Sequence, residues 1–166
     1  MKYIRIGKIV NTHGLKGEVR ILSDFKYKNK IFKNGFKIYI GNNKVEEEIV
    51  TYRVHKQFDM ITMMGYTNIN DILKYKGQYV FVNKYDIKLL DGEYLDEDLL
   101  NLSVICDNVV IGKVNRIEKY PHQDIIVVKD NDKKYLIPNV SAFIKKIDLE
   151  NKIMVIKNIK GLIEWK

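Results

Sequence analysis

A histidine stands among three glycines near the start of the chain. Residues 7–21 read GKIVNTHGLKGEVRI, with His13 directly before the second glycine. Glycine loops can cradle phosphates, but a P-loop requires G-x-x-x-x-G-K-[ST] and a dinucleotide loop requires G-x-G-x-x-G at the start of a helix. Neither pattern occurs, and residues 18–22 alternate as a strand does. The segment therefore predicts two strands joined by a glycine-rich connection, with His13 at its tip.

Other groups that could support catalysis lack the expected spacing. His13, His55 and His122 are far apart, and no pair has the H-x-x-x-H spacing of metal ligands. No serine lies in a G-x-S-x-G elbow, and Cys106, the single cysteine, lies in an apolar run typical of a core. The acidic residues 91–98 share one environment, whereas a general acid and base need two. We predict no catalytic residue, metal or cofactor, and an enzyme with converged histidines stays the alternative.

The elements that hold these residues are mainly short strands. Alternation of period two marks residues 4–6, 19–21, 38–40, 45–52, 58–64 and 79–82, and strand signals resume at 102–106, 109–117, 125–128, 135–137 and 153–156. One helical signal interrupts the first set, with Asn68 as N-cap, Asp71 in the first turn and Gly77 at the end. We expect a mainly β protein of two small antiparallel β-barrels with short helices.

Charge divides the 166-residue chain, whose net charge is +8. Residues 1–83 hold 15 Lys and Arg against 7 Asp and Glu, while residues 84–166 hold 14 of each. We predict a domain at 1–83, a linker at 84–93 and a domain at 94–166. The basic half favours an anionic partner, most often nucleic acid, although a solvated lysine-rich face is the alternative. Without a membrane-spanning run or signal peptide, we expect a cytoplasmic protein with no membrane partner.

Two surface segments suit binding. Residues 25–37 interleave five lysines with four aromatics, so ammonium groups could neutralise phosphates while the rings either stack on unpaired bases or pack inward. Residues 91–100 surround Tyr94 and Leu95 with acidic groups, which suits a basic protein partner. The alternative for the second segment is a capped helical turn with Leu99 and Leu100 packed under it.

Motifs in both halves together carry a resemblance to one family. The pattern G-x-I-x-x-x-H-G-L-x-G-E-V-R matches residues 7–20, and Arg53-Val54-His55-Lys56 reinforces it. In the second half, Tyr94 with Asp98-Leu99, then Leu136-Ile137-Pro138 and Ile147-Asp148, follow the order of a PRC-barrel domain. Over nearly its whole length the chain resembles the RimM family of ribosome maturation factors.

This resemblance implies a six-stranded N-terminal barrel, a C-terminal PRC-barrel and a non-enzymatic assembly chaperone. The implied partners are the immature 30S subunit, a ribosomal protein of its head (the nineteenth of the small-subunit series) and 16S rRNA, whose processing the family supports. Family members carry a Tyr-Tyr pair near the start of the second domain. Tyr94 matches the first tyrosine, and Leu95 replaces the second.

We therefore predict two sets of contact residues on a monomer. Val19 and Ile21 are expected in the core. A general RNA-binding β-barrel protein of the translation-factor type, which would also bind naked RNA, is the alternative function. The predicted RNA or ribosome contacts are His13, Lys16, Arg20, Lys26, Lys28, Lys30, Arg53, His55 and Lys56, and the predicted ribosomal-protein contacts are Tyr94, Leu95 and Asp98.

Overall fold

The chain folds into two compact units, Met1–Lys88 and Leu89–Lys166. The computed structural model describes residues 1–158 and 164–165. Within the described residues, no helix has the length and apolar character needed to cross a membrane. Both units are built mainly from strands, which confirms the predicted fold class, while the boundaries of a separate linker at 84–93 stay a prediction.

The first unit is a closed barrel of six strands in the order β1-β2-β5-β4-β3-β6, and every pairing in it is antiparallel. Alternate residues point inward, so Val19 and Ile21 are fully buried, as predicted. The elements are β1 (Tyr3–His13), β2 (Glu18–Leu22), α1 (Lys28–Ile31), β3 (Lys37–Ile40), β4 (Val45–His55), β5 (Phe58–Met63), α2 (Ile69–Ile72), a 3₁₀ turn (Leu73–Tyr75), β6 (Tyr79–Asn83) and a second 3₁₀ turn (Lys84–Asp86).

Glycines shape the β1–β2 hairpin, as the sequence predicts. Gly17 has a φ of 88°, in the left-handed region that glycine adopts most readily. Gly7 lies so close to β2 that a Cβ atom there would stand 2.7 Å from the carbonyl oxygen of Leu22. The glycines therefore serve a turn and a close backbone approach.

The helix predicted to begin after Asn68 is present as α2. The Asn68 side chain accepts a hydrogen bond from the backbone N–H of Asn70, and Ile72 is fully buried. After the 3₁₀ turn, Gly77 leaves the helical path and its N–H donates to the carbonyl of Ile9 in β1. The short helix α1 lies within residues 25–37, where the sequence did not predict a helix, and its Ile31 is fully buried.

The second unit is a seven-stranded sheet in the order β11-β12-β7-β8-β9-β10-β13. One pair, β7 with β12, is parallel, which departs from the antiparallel pairing expected throughout. Its core consists of Leu99, Leu102, Val104, Val114, Ile126, Val128, Ile137, Met154 and Ile156. The elements are α3 (Asp96–Leu99), β7 (Ser103–Cys106), β8 (Val109–Lys119), β9 (Asp124–Asp130), β10 (Lys133–Pro138), β11 (Ile144–Asp148), β12 (Ile153–Ile156) and β13 (Glu164–Trp165).

Candidate nucleic-acid interface

Four neighbouring strands bring predicted contact residues together at one end of the barrel. In the register, His13 lies opposite Glu18, Arg20 and Arg53 both lie opposite Met60, and His55 lies opposite Phe58. Directly opposed residues share a face of a sheet, so these side chains meet on one face. The histidine–arginine cluster, as we define it, comprises His13, Glu18, Arg20, Arg53, His55, Lys56 and Phe58.

Arg20 lies at the centre of this cluster. Its Nη2 donates a hydrogen bond to Nδ1 of His13 at 2.9 Å, and its guanidinium carbon lies 5.0 Å from the centroid of the Phe58 ring. Because arginine can only donate, Nδ1 of His13 must be the acceptor, which places the ring proton on Nε2. The buried Nε of Arg20 has no hydrogen-bond partner among the described residues. Arg20 is therefore positioned by two aromatic neighbours, His13 and Phe58.

One carboxylate lies among the cations. Glu18 accepts from Nε and Nη2 of Arg53 at 2.9 and 2.7 Å, a bidentate pair. The hydrogen bond from Arg53 lowers the pKa of Glu18, with further lowering from the nearby histidines. Glu18 offsets only one of the three permanent cations, Arg20, Arg53 and Lys56, so the cluster keeps a positive field.

His55 responds to that field. Its ring centroid lies 5.6 Å from that of His13. Partial burial lowers the pKa of His55, and electrostatic interactions with Arg53, His13, Lys56 and Arg20 lower it further. The side chain is therefore neutral at pH 7, and an anion that offsets those charges would favour its protonation.

The cluster has the groups for binding an anion and lacks the usual arrangement of a catalytic centre. Two of the three histidines meet here, while His122 belongs to the second unit. Nδ1 of His13 is held by a cation rather than by the carboxylate that orients a general base. Across the described part of the chain, no group of three or more His, Cys, Asp and Glu side chains could hold a metal ion.

Lys16 lies apart from this cluster. It is exposed and lines a groove of about 410 Å³ with Val50 and residues 62–67. The backbone explains this position, because the carbonyl of Leu15 accepts a hydrogen bond from the N–H of Ile69. The β1–β2 connection therefore directs His13 and Lys16 to different surroundings.

The aromatic residues of segment 25–37 mostly pack inward. Tyr27, Phe32 and Phe36 are 7%, 4% and 8% exposed, and the Phe32 ring stacks on Tyr52 with centroids 5.1 Å apart. Stacking of bases on these three rings is therefore excluded, and the alternative of inward packing is correct. Only Phe25 is half-buried.

The lysines of that segment differ in their surroundings. Lys26 is exposed, whereas Nζ of Lys28 lies 2.8 Å from a carboxylate oxygen of Asp59, which is 2% exposed. The hydroxyl of Tyr52 donates to the other oxygen of Asp59 at 2.6 Å. Lys30 donates to the backbone carbonyl of Lys88 at 2.8 Å. Lys28 thus has a structural role that the sequence did not indicate.

The predicted protein-binding residues lie around α3. Leu95 is 5% exposed, so its side chain packs in the core, which corrects the prediction of an exposed contact there. Asp98 accepts a hydrogen bond from the N–H of Leu95 at 2.9 Å, as a helix cap does, and Leu99 is fully buried. The capped-turn interpretation holds for these residues, although Leu100 is exposed. Tyr94 is half-buried against the core.

Tyr94 also lines an acidic groove of about 390 Å³. The groove brings residues 91–94 beside residues 146–150 at the end of β11, and we call it the acidic groove. It holds four carboxylates against one lysine: Asp91, Glu93, Asp148 and Glu150 with Lys146. Sequence reasoning missed its second wall, because no local signal links segments more than 50 residues apart.

Sequence reasoning also missed two members of the histidine–arginine cluster. Glu18 stands within the G-E-V-R motif, where its pairing with Arg53 across β5 leaves no trace in local spacing. Phe58 could have been found, since a two-residue turn between β4 and β5 places it opposite His55.

Family models match both units. The family model described as the RimM N-terminal domain matches residues 4–87, and the model described as the RimM PRC barrel domain matches residues 96–162. The solution structure of the N-terminal domain of RimM from Thermus thermophilus is similar over 55% of this chain and 100% of its own, with 16% identity and a TM-score of 0.47.

Curated relatives match over nearly their full length. A ribosome maturation factor RimM from Staphylococcus haemolyticus is 38% identical over 97% of this chain and 99% of its own. Another from Exiguobacterium is 38% identical over 99% of this chain and 98% of its own. The two domain models together with these relatives show that the chain belongs to the RimM family of ribosome maturation factors.

Proposed function

We propose that the chain is a non-enzymatic assembly factor that binds the head of the immature 30S subunit in the cytoplasm and supports 16S rRNA processing. In this proposal the histidine–arginine cluster contacts 16S rRNA, and the acidic groove with Tyr94 contacts a basic ribosomal protein of the head, the nineteenth of the small-subunit series. The names of the curated relatives support a ribosomal role. The observation that carries the RNA contact is the convergence of Arg20, Arg53 and Lys56 with two histidines on one barrel face.

The chemistry of the cluster suits phosphate groups. Its cations are like charges near one another and near His55, so they repel one another, and a phosphate relieves that repulsion. Arginine binds phosphate oxygens with a planar fork of donors. Such contacts fix position and orientation on RNA and carry little sequence information. The cluster would therefore hold the factor in place, while recognition of the correct particle requires a second contact.

The acidic groove is suited to supply that second contact. Hydrogen bonds from the side chain and backbone of Asn151 lower the pKa of Asp148, which therefore stays ionised across the physiological range. A groove with an excess of carboxylates repels RNA and attracts lysine- or arginine-rich protein segments. Its half-buried tyrosine offers an aromatic contact of the kind that is enriched in protein interfaces.

The RNA contact is tested by co-sedimentation with immature 30S particles. Lys56→Glu reverses a charge in the cluster at an exposed turn and is expected to weaken binding by about tenfold or more. Lys76→Glu is the matched control, because Lys76 is an exposed loop lysine of the same unit outside the cluster. Equal binding by the two variants would contradict the RNA contact.

The protein contact is tested with the purified head protein. The double variant Asp91→Lys, Glu150→Lys reverses two exposed charges of the acidic groove and should abolish capture of that protein. Asp130→Lys with Asp132→Lys makes the same change at exposed positions outside the groove. Retained capture by the groove variant would contradict this contact. Tighter binding to naked rRNA than to the particle would instead favour the general RNA-binding alternative.

A further inference from the structure

A second basic surface of the first unit has no role in the proposal above. A groove of about 510 Å³ lies between α1, the following loop and the second 3₁₀ turn. We call it the lysine groove. Its lining includes four lysines, one acid and one tyrosine: Lys30, Lys33, Lys37 and Lys88 with Asp86 and Tyr85. The volume lies within the roughly 300–1,000 Å³ usual for small-ligand sites.

The fold holds the two walls of this groove together. Lys30 on α1 donates to the backbone carbonyl of Lys88 at 2.8 Å, which ties the helix to the segment after the 3₁₀ turn. Phe36 is 8% exposed and also lines the groove. On the other wall, the side chain of Asn83 accepts a hydrogen bond from the N–H of Tyr85 and thereby caps the 3₁₀ turn. The groove is therefore built from fixed backbone.

Two lysines of the groove are available to a ligand. Lys33 and Lys88 are exposed, and neither has an acidic partner at ion-pair distance within the described residues. Lys37 differs, because its Nζ lies 3.3 Å from Glu46 and 3.6 Å from Glu48. The lysines outnumber the single acid of the lining, so the groove attracts anions.

Tyr85 adds a flat apolar face beside these charges. Its side chain is 74% exposed, the highest value for a tyrosine in the described part of the chain. An exposed ring next to unpaired lysines is the combination that single-stranded nucleic acid binds, since bases stack on the ring while ammonium groups neutralise the backbone. A duplex hides its base faces and offers no such partner.

We propose that the lysine groove binds a short single-stranded RNA segment, with one base stacked on Tyr85 and the adjoining phosphates held by Lys33 and Lys88. This site is separate from the histidine–arginine cluster and does not require the ribosomal role. Each phosphate neutralised on a single strand contributes roughly −0.7 to the slope of log affinity against log salt concentration. Two engaged lysines therefore predict a contribution of about −1.4 to that slope.

The test measures fluorescence anisotropy of a labelled eight-nucleotide oligouridine with the full chain at low salt. Tyr85→Leu should weaken binding by about fivefold or more, while Tyr85→Phe keeps the ring and should stay within about twofold. Lys33→Ala with Lys88→Ala should weaken binding by about tenfold and flatten the salt dependence. Lys76→Ala with Lys113→Ala is the control, since it removes the same charge from exposed positions outside the groove.

Four results would overturn the proposal. Unchanged binding by Tyr85→Leu would show that no base stacks on this ring. An equal loss of affinity in the control pair would show that the effect of the lysine variants comes from net charge alone. Equal affinity for the oligouridine annealed to oligoadenosine would remove the requirement for a single strand. Loss of binding in Lys56→Glu with normal binding in the groove variants would move the RNA to the histidine–arginine cluster. Because no ribosomal particle is present, failure here leaves the proposed 30S role to its own test.

Discussion

The first unit contains two cation-rich regions that differ in what surrounds the charge. In the histidine–arginine cluster, Arg20, Arg53 and Lys56 lie near one another and near His55, with Glu18 as the one carboxylate. In segment 25–37, Lys28 instead neutralises the buried Asp59. A cation among cations leaves positive potential for a ligand, whereas a cation beside a buried carboxylate is needed for folding.

This difference predicts opposite effects on stability. Removing a cation from the cluster relieves repulsion between like charges, so the free energy of unfolding should change little. Removing Lys28 leaves a buried carboxylate without its counter-charge, which is costly. The cations of the cluster and Lys28 carry the same charge, but measuring both the free energy of unfolding and the RNA affinity of their variants distinguishes a binding role from a structural one.

The largest expected effect concerns the aromatic residues of segment 25–37. Phe32→Ala deletes a ring that is 4% exposed and stacked on Tyr52, so the free energy of unfolding should fall by about 3–5 kcal/mol. Urea denaturation measures it, with Phe25→Ala as the half-buried control, for which a smaller loss is expected. A loss below about 1 kcal/mol for Phe32→Ala would contradict inward packing as the role of this ring.

The next effect concerns the ion pair of Lys28 with Asp59. Lys28→Met should lower the free energy of unfolding by about 2 kcal/mol, less than the 3–5 kcal/mol typical of fully buried pairs because Lys28 is 35% exposed. Adding Asp59→Asn removes the orphaned charge and should restore part of the loss. Lys33→Met is the control, with an expected change within about 0.5 kcal/mol. Equal stability of the two lysine variants would reassign Lys28 to ligand binding.

The sequence predicted local features well because their causes are local. Alternation located β2, β3 and β6, and the side chain of Asn68 predicted the start of α2. The strand β11 was missed, because adjacent lysines and a register shift between Ile144 and Lys146 break the alternation. The parallel pairing of β7 with β12 joins segments about 50 residues apart, which no local pattern encodes.

The candidate site was predicted only in part, because contacts between segments distant in sequence leave no local pattern. The motif around His13 and the segment around His55 were identified separately, and their rings come to 5.6 Å only in the folded barrel, where the strand order β1-β2-β5-β4 connects them. Burial of Leu95 and the pairing of Lys28 with Asp59 also depend on tertiary packing. Residue type identified the cations correctly, and the partner of each cation decided its role.

A smaller effect is expected in the cluster itself. Arg20→Gln should weaken binding to immature 30S particles by about tenfold and reduce the magnitude of the salt slope by about 0.7–0.9. The free energy of unfolding should stay within about 1 kcal/mol, because the lost contacts to His13 and Phe58 are offset by relieved repulsion. Co-sedimentation at several salt concentrations measures the binding, with Lys76→Gln as control. A large loss of stability with unchanged affinity would place Arg20 in the same structural class as Lys28.

The smallest effect is a dependence on pH that only the cluster should show. Partial burial and the cations of the cluster lower the pKa of His55 in the free protein. A bound phosphate offsets those cations and raises that pKa, so binding takes up protons. Affinity for RNA should therefore rise as the pH falls from about 7.5 to 6, by about two- to threefold, and His55→Gln should remove most of the rise.

The stability of the free protein changes in the opposite direction. Because folding lowers the pKa of His55, the unfolded chain binds the proton more readily, and the free energy of unfolding should decrease as the pH falls through about 6.5. Lys28 pairs with Asp59 and not with a histidine among the described residues, so Lys28→Met should leave the pH dependence of affinity unchanged. A variant His55→Gln that keeps the full pH dependence would show that the cluster is not where RNA meets this protein.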